Sequence, residues 1–123
     1  MGRRSRARSR EQKPGAPASD YADAEGGVLT LRGSLPPGAR REYARTLAGE
    51  TGTAAATRED AEQRALELLF ERLAVRWEIA GVAIERPKEL LARLRAASPE
   101  ERARVRSALR EHCDEHFPDV RLP

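Results

Sequence analysis

The stretch TREDAEQRALELLFERLAVRWEIAG, residues 57–81, decides how the chain is read, because it is the longest uninterrupted periodic segment and holds the only Trp and one of the two Phe. Set out at 100° per residue, Leu66, Leu69, Phe70, Leu73, Trp77 and Ala80 share roughly 80° of arc, the pattern of an amphipathic helix. Thr57 suits the N-cap, Asp60 three residues on makes a short capping box, and Glu59 favours the positive helix end. Gly81 supplies a residue able to take positive φ past the last turn, with Val82 placed for the hydrophobic contact of that cap. The spacing therefore predicts one long central helix over 57–81. A second, weaker stripe of Ala61, Ala65, Leu68, Val75 and Ile79 lies nearly opposite the first. A helix apolar on two sides has to be covered on two sides. The face formed by Leu68, Val75 and Ile79 is thus expected to take other parts of the chain, a partner protein or a second copy.

Working outward from that helix, the 123 residues have room for one domain. Charged residues make up 35% and aromatics 4%, so the core must be built from Leu and Ala. The formal charge of +3 is unevenly spread. Residues 1–20 carry Arg3, Arg4, Arg6, Arg8, Arg10 and Lys13 against Glu11 and Asp20, a net of +4, whereas residues 21–123 hold 17 basic and 18 acidic side chains, a net of −1. Basicity belongs to the N-terminal segment and the body is neutral, which decides where an anionic partner is sought. Arg outnumbers Lys 21 to 2 beside abundant Ala and Gly, as a GC-rich genome would produce, so no single Arg carries a functional reading by itself.

Residues 1–20, MGRRSRARSREQKPGAPASD, hold no apolar residue larger than Ala after Met1 and are expected to be a disordered basic tail. Arginines interspersed with Ser suit an electrostatic arm for nucleic acid, contacting phosphates without reading bases; no aromatic is interleaved to stack on them. Residues 21–33, YADAEGGVLTLRG, read as a small β-hairpin turning at Glu25-Gly26-Gly27, with Val28–Arg32 alternating as the return strand. Gly26-Gly27 lacks both the Lys-Ser/Thr of a phosphate loop and the spacing of a dinucleotide fingerprint. A short helix is expected from Pro37, with Ala39, Tyr43 and Leu47 along its apolar edge, and residues 49–56 form a flexible loop.

Beyond Gly81, Pro87 opens a helix with Leu90, Leu91 and Leu94 facing inward, and Ser98-Pro99-Glu100-Glu101 is a strong start for a last helix ending before Pro118. Phe117, Val120 and Leu122 remain to pin the C-terminus. Residues 86–110 carry eight basic side chains against Glu89, Glu100 and Glu101, which invites a DNA-reading helix-turn-helix. The base-reading end of its second helix would be Pro99-Glu100-Glu101, setting two carboxylates against phosphates, so a structural helical hairpin is the better reading.

His112-Cys113-Asp114-Glu115-His116 spells H-x-x-E-H. Two His at i and i+4 can meet one metal, but a protease would need a further downstream acidic ligand and a substrate cleft. His112 and His116 share the face of Val105 and Leu109 and are expected to be semi-buried, standing as the weak candidates for a metal site where none is expected. Cys113 is read as a core-edge residue, with no base-and-orienter arrangement that would make it a nucleophile. A single Cys forms no intramolecular disulfide, and no apolar run approaches the ~20 residues of a membrane span, so a cytoplasmic setting and no membrane partner are expected.

Together these readings give a mainly α fold with a small N-terminal β-hairpin (α+β), the long central helix being packed by a C-terminal helical hairpin within one domain over residues 21–123. The function expected is that of a non-enzymatic interaction module without cofactor, whose body binds a protein partner or itself and whose tail contacts nucleic acid nonspecifically. The alternative is a purely structural or regulatory oligomer or adaptor with an inert tail, and the remote one a metal-binding protein through His112 and His116. The sequence names no substrate, partner or pathway.

Overall fold

A computed structural model describes residues 16–49 and 57–123. In chain order the elements are β1 (Ala16–Ala22), β2 (Val28–Gly33), α1 (Pro37–Leu47), α2 (Arg58–Leu73), β3 (Ala74–Ile79), β4 (Val82–Ile84), α3 (Pro87–Arg95) and α4 (Pro99–His116). The four strands form one antiparallel sheet in the order β1-β2-β3-β4. The fold is therefore α+β, with helices layered against a four-stranded sheet, and not a helical domain carrying a small N-terminal hairpin.

The correction centres on residues 57–81. The helix starts as expected: Thr57 accepts from the Asp60 amide at 3.0 Å, and the Asp60 carboxylate takes the Thr57 amide at 3.3 Å. It stops at Leu73, where Ala74 turns extended (φ −71°, ψ 128°) and the chain enters β3 without a loop. Val75-Arg76-Trp77-Glu78-Ile79 alternates apolar and polar and is rich in β-branched and aromatic residues, which suits a strand. The deciding force is tertiary. A two-stranded β1–β2 hairpin is marginal alone, and β3 supplies the third strand, pairing Leu29 with Trp77 and Leu31 with Ala74. A register shift between Thr30 and Leu31 leaves Val75 out of step, so Ala74 and Trp77 both reach the core. Ala80 (φ 53°) and Gly81 (φ 80°) then join β3 to β4 with two consecutive positive-φ residues, as a type I′ hairpin turn requires.

The N-terminal hairpin is present but longer than the sequence suggests, since β1 takes in residues 16–20, which were assigned to the tail. Its turn is closed by Asp23, whose Oδ1 accepts from the amides of Glu25 (2.8 Å) and Gly27 (3.0 Å). The sheet is amphipathic. Leu29, Leu31, Ala74 and Trp77 point into a core completed by Leu69, Phe70, Leu73, Leu94, Leu109 and Phe117. The opposite face is polar: the Thr30 hydroxyl donates to Asp20 at 2.6 Å, and Arg76 pairs with Glu78 (3.1 Å) and Glu85 (3.3 Å).

α1, α3 and α4 start and end close to their expected positions. α4 carries a full capping box, the Ser98 hydroxyl accepting from the Glu101 amide while the Glu101 carboxylate takes the Ser98 amide. The C-terminal residues are tied to α1, because the Tyr43 hydroxyl donates to the Arg121 carbonyl at 2.8 Å and Arg40 pairs with Asp119 at 3.0 Å while lying over the Phe117 ring. Phe117 and Val120 are buried there.

Candidate binding cleft

The inner face of the sheet is not fully covered. At the end marked by the β1–β2 turn and the end of β3, a cleft of about 790 Å³ opens between the sheet and α4. The reason lies in α4, which contributes Ala103, Ser107 and Ala108 to the lining, side chains too small to fill the space above Tyr21, Leu29, Trp77 and Ile79. The rim is acidic. Among the described residues Asp23, Glu25, Glu101 and Glu111 line it against the single cation Arg104, a net charge of −3; Asp20 also borders it, but its carboxylate bonds Thr30 on the opposite face of the sheet.

Two of the four carboxylates are compensated. Asp23 Oδ2 lies 3.4 Å from Arg104 Nε. Glu101 takes a hydrogen bond from Arg93 Nη2 at 2.7 Å, and this bond, helped by the Ser98 amide, holds its carboxyl below the usual carboxylate range. Arg93 in turn stacks its guanidinium 5.5 Å from the Trp77 ring. Among the described residues neither Glu25 nor Glu111 has a cationic partner within 4.0 Å. The acidic surface continues along α4 from Glu111 to the exposed Asp114 and Glu115, which border a second, shallower depression. Open, apolar-floored and anionic at the edge, the arrangement suits a segment with cationic heads and short or aliphatic bodies.

The wall behind the cleft is the buried contact between Tyr21 and His112. His112 is fully buried. Its Nε2 lies 2.6 Å from the Arg32 carbonyl, which can only accept, so Nε2 carries the proton and Nδ1 accepts from the Tyr21 hydroxyl at 2.7 Å. Burial pushes the His112 pKa down, against the opposing pull of the Arg32 carbonyl; the neighbouring His116 adds to the depression. The Tyr21 hydroxyl is pushed up, chiefly by burial.

The two His rings lie 4.6 Å apart between centroids, but both nitrogens of His112 are engaged by protein groups. Among the described residues no group of three or more His, Cys, Asp or Glu is placed to hold a metal ion. Cys113 is buried and its thiol is pushed up to about 12 by burial, so at neutral pH it is not a thiolate.

Leu68, Val75 and Ile79 do not share a helix face. Leu68 is on α2, while Val75 and Ile79 are on β3. Leu68 and Ile79 are partly buried against the core, and Ile79 reaches the cleft lining. Arg3, Arg4, Arg6, Arg8, Arg10 and Lys13 lie outside the described residues, as do residues 50–56 of the expected loop. The cleft is not legible from the helical stripe of residues 57–81, which sets Trp77 and Ile79 on a helix, nor from Tyr21 as the lead-in to a turn. The available signals were the period-2 alternation of residues 75–79 and the small residues at 103, 107 and 108 of α4. No helix among the described residues is long and apolar enough to cross a membrane. Comparison of the chain with protein-family models, with curated proteins and with solved structures finds no match in any of the three.

Proposed function

We propose that the protein is a non-enzymatic interaction module whose acidic cleft takes a basic segment of a protein partner, while its Arg-rich N-terminal segment makes sequence-independent contact with nucleic acid. The observation that supports the first part is the open cleft itself, apolar at the base and carrying two carboxylates, Glu25 and Glu111, without a cationic partner among the described residues. Burying a cationic head there replaces water around unpaired anions with a charge-assisted contact, and the floor accepts an aliphatic stem. The support for the second part is the charge split, +5 over residues 1–15 from six basic side chains and Glu11, against a nearly neutral body.

Nuclear magnetic resonance titration of the isotope-labelled full chain tests the cleft reading, with a short Arg/Ala peptide as probe and a Gln/Ala peptide of equal length as control. Shifts confined to Tyr21, Ser107, Ala108 and the Trp77 indole, seen only with the basic peptide, are expected. Shifts spread over α1 and α2, or equal responses to both peptides, sink the reading. For the tail, DNA binding over a salt series is expected to fall with a log–log slope of up to about −5, six cations at ~0.9 each. Changing all six to Gln should remove most of that slope, and an unchanged slope would exclude the tail as the contact.

A further inference from the structure

The cleft and the N-terminal segment are opposite in charge and belong to one chain. β1, to which the basic segment is joined directly, itself carries Tyr21 into the cleft lining. Tyr21 lies five residues beyond Ala16, about 17 Å along an extended strand. Fifteen preceding residues can span up to about 50 Å, so the arginines reach the cleft without strain. Pro14-Gly15, immediately before β1, is a dipeptide that favours chain reversal. Ser5, Ala7 and Ser9 separate the arginines and add little bulk, matching an α4 wall made of Ala103, Ser107 and Ala108.

From this placement we infer that, in the free protein, the cleft is occupied in cis by the chain's own segment of residues 3–13, so that nucleic acid and the cleft compete for the same arginines. The inference rests on the reading of the cleft as a site for basic segments and assigns its resident ligand. Exposed ion pairs are weak individually. A short tether, however, presents the segment at an effective concentration on the order of millimolar. A contact that would bind at about 0.1 mM between separate molecules is then about nine-tenths formed, and nucleic acid meets a tail whose apparent affinity is lowered roughly tenfold. Linkage is reciprocal, so nucleic acid that captures the tail vacates the cleft for a basic partner. The two halves of the proposed function thereby become one exchange: the partner site opens when the protein is on nucleic acid.

The full chain tests this with a nitroxide attached at Ser5→Cys, since Cys113 is buried and its thiol is pushed up to about 12, which leaves the tail as the labelled position. At low salt the label is expected to broaden the amide signals of Ala103, Ser107 and Ala108. High salt or excess double-stranded DNA should restore them. The triple variant Glu25→Gln, Glu111→Gln, Glu115→Gln should lose the broadening and bind DNA about tenfold more tightly. A charge-matched control with Glu59→Gln, Glu71→Gln and Glu89→Gln should keep the broadening and gain much less affinity. Broadening elsewhere on the body, no broadening, or equal gains in both triple variants would overturn the inference. A peptide copying residues 1–15, added to protein with all six tail cations changed to Gln, separates the two levels. If the peptide shifts cleft signals while the tethered tail never broadens them, only the cis assignment falls; if the peptide shifts nothing, the cleft reading falls with it.

Discussion

Replacing His112 with Ala removes the one buried imidazole that ties α4 to both strands of the N-terminal hairpin. Its Nε2–H donates to the Arg32 carbonyl at 2.6 Å and its Nδ1 accepts from Tyr21 at 2.7 Å, while its ring packs edge-on against Phe117 at 5.7 Å between centroids. Two hydrogen bonds at about 0.5–1.5 kcal/mol each, plus about 1–2 kcal/mol for the vacated ring volume, give a loss of about 3 kcal/mol. With a urea dependence near 1.5 kcal/mol per molar, the unfolding midpoint followed by Trp77 fluorescence should drop by about 2 M at pH 7.5. The same variant tests the protonation state. Because the folded pKa of His112 is depressed, the unfolded chain takes up the proton first on acidification. Its contribution is complete above the unfolded value of about 6.5 and is lost as the pH falls through the lower folded value, at up to ~1.4 kcal/mol per pH unit. Wild-type stability should therefore decline as the pH falls below about 6.5, and the His112→Ala protein should be flatter there. Glu101, whose carboxyl is also depressed, acts only below its ordinary value of 4.5 and leaves the range above it clear. A midpoint shift under about 0.5 M, or an unaltered acid slope in the variant, would refute this account of the Tyr21–His112–Arg32 chain.

Two further outcomes follow from local geometry. Ala80 holds φ 53° in the first position of the β3–β4 turn, and Ala80→Asn should raise the melting temperature by a few degrees, about 0.5–1 kcal/mol, since Asn tolerates the left-handed region better and Asn-Gly favours this turn; a fall in melting temperature would contradict the turn assignment. Cys113, with its thiol pushed up to about 12 inside the core, should react with a thiol reagent only at the rate of unfolding, and modification much faster than unfolding would show that the α4–C-terminal packing opens locally.

Much of the helical part of the fold was legible because its signals are local. Thr57 with Asp60 and Ser98-Pro99 with Glu101 fix a boundary through bonds made within one turn, and Pro37 and Pro87 fix theirs through the locked φ that suits the first helical position. The sheet was legible only in its first hairpin. Residues 74–79 fit a helical stripe through Trp77 as well as they fit a strand, and what decides between them is the unpaired edge of β2, more than forty residues earlier in the chain. The site inherited that error. A cleft whose floor comes from β1, β2 and β3 and whose wall is α4 depends on a tertiary arrangement that a wheel projection of residues 57–81 does not contain, so the residues assigned to a partner face, Leu68, Val75 and Ile79, were distributed between two elements instead.

The loop-free passage from Leu73 to Ala74 has a consequence for how the chain folds. β1–β2 and β3–β4 are each hairpins closed by short turns, so both can form early and separately. Among the described residues the one strand pairing that needs distant segments is β2 with β3, whose nearest partners Leu31 and Ala74 are roughly forty residues apart, and it is expected to be the late, slow event. Because Ala74 follows α2 immediately, the registration of β3 on β2 is dictated by where α2 docks. Zippering of the two hairpins and seating of that helix are a single step, and lengthening the Leu73–Ala74 junction would uncouple them, slowing the folding rate while leaving each hairpin intact.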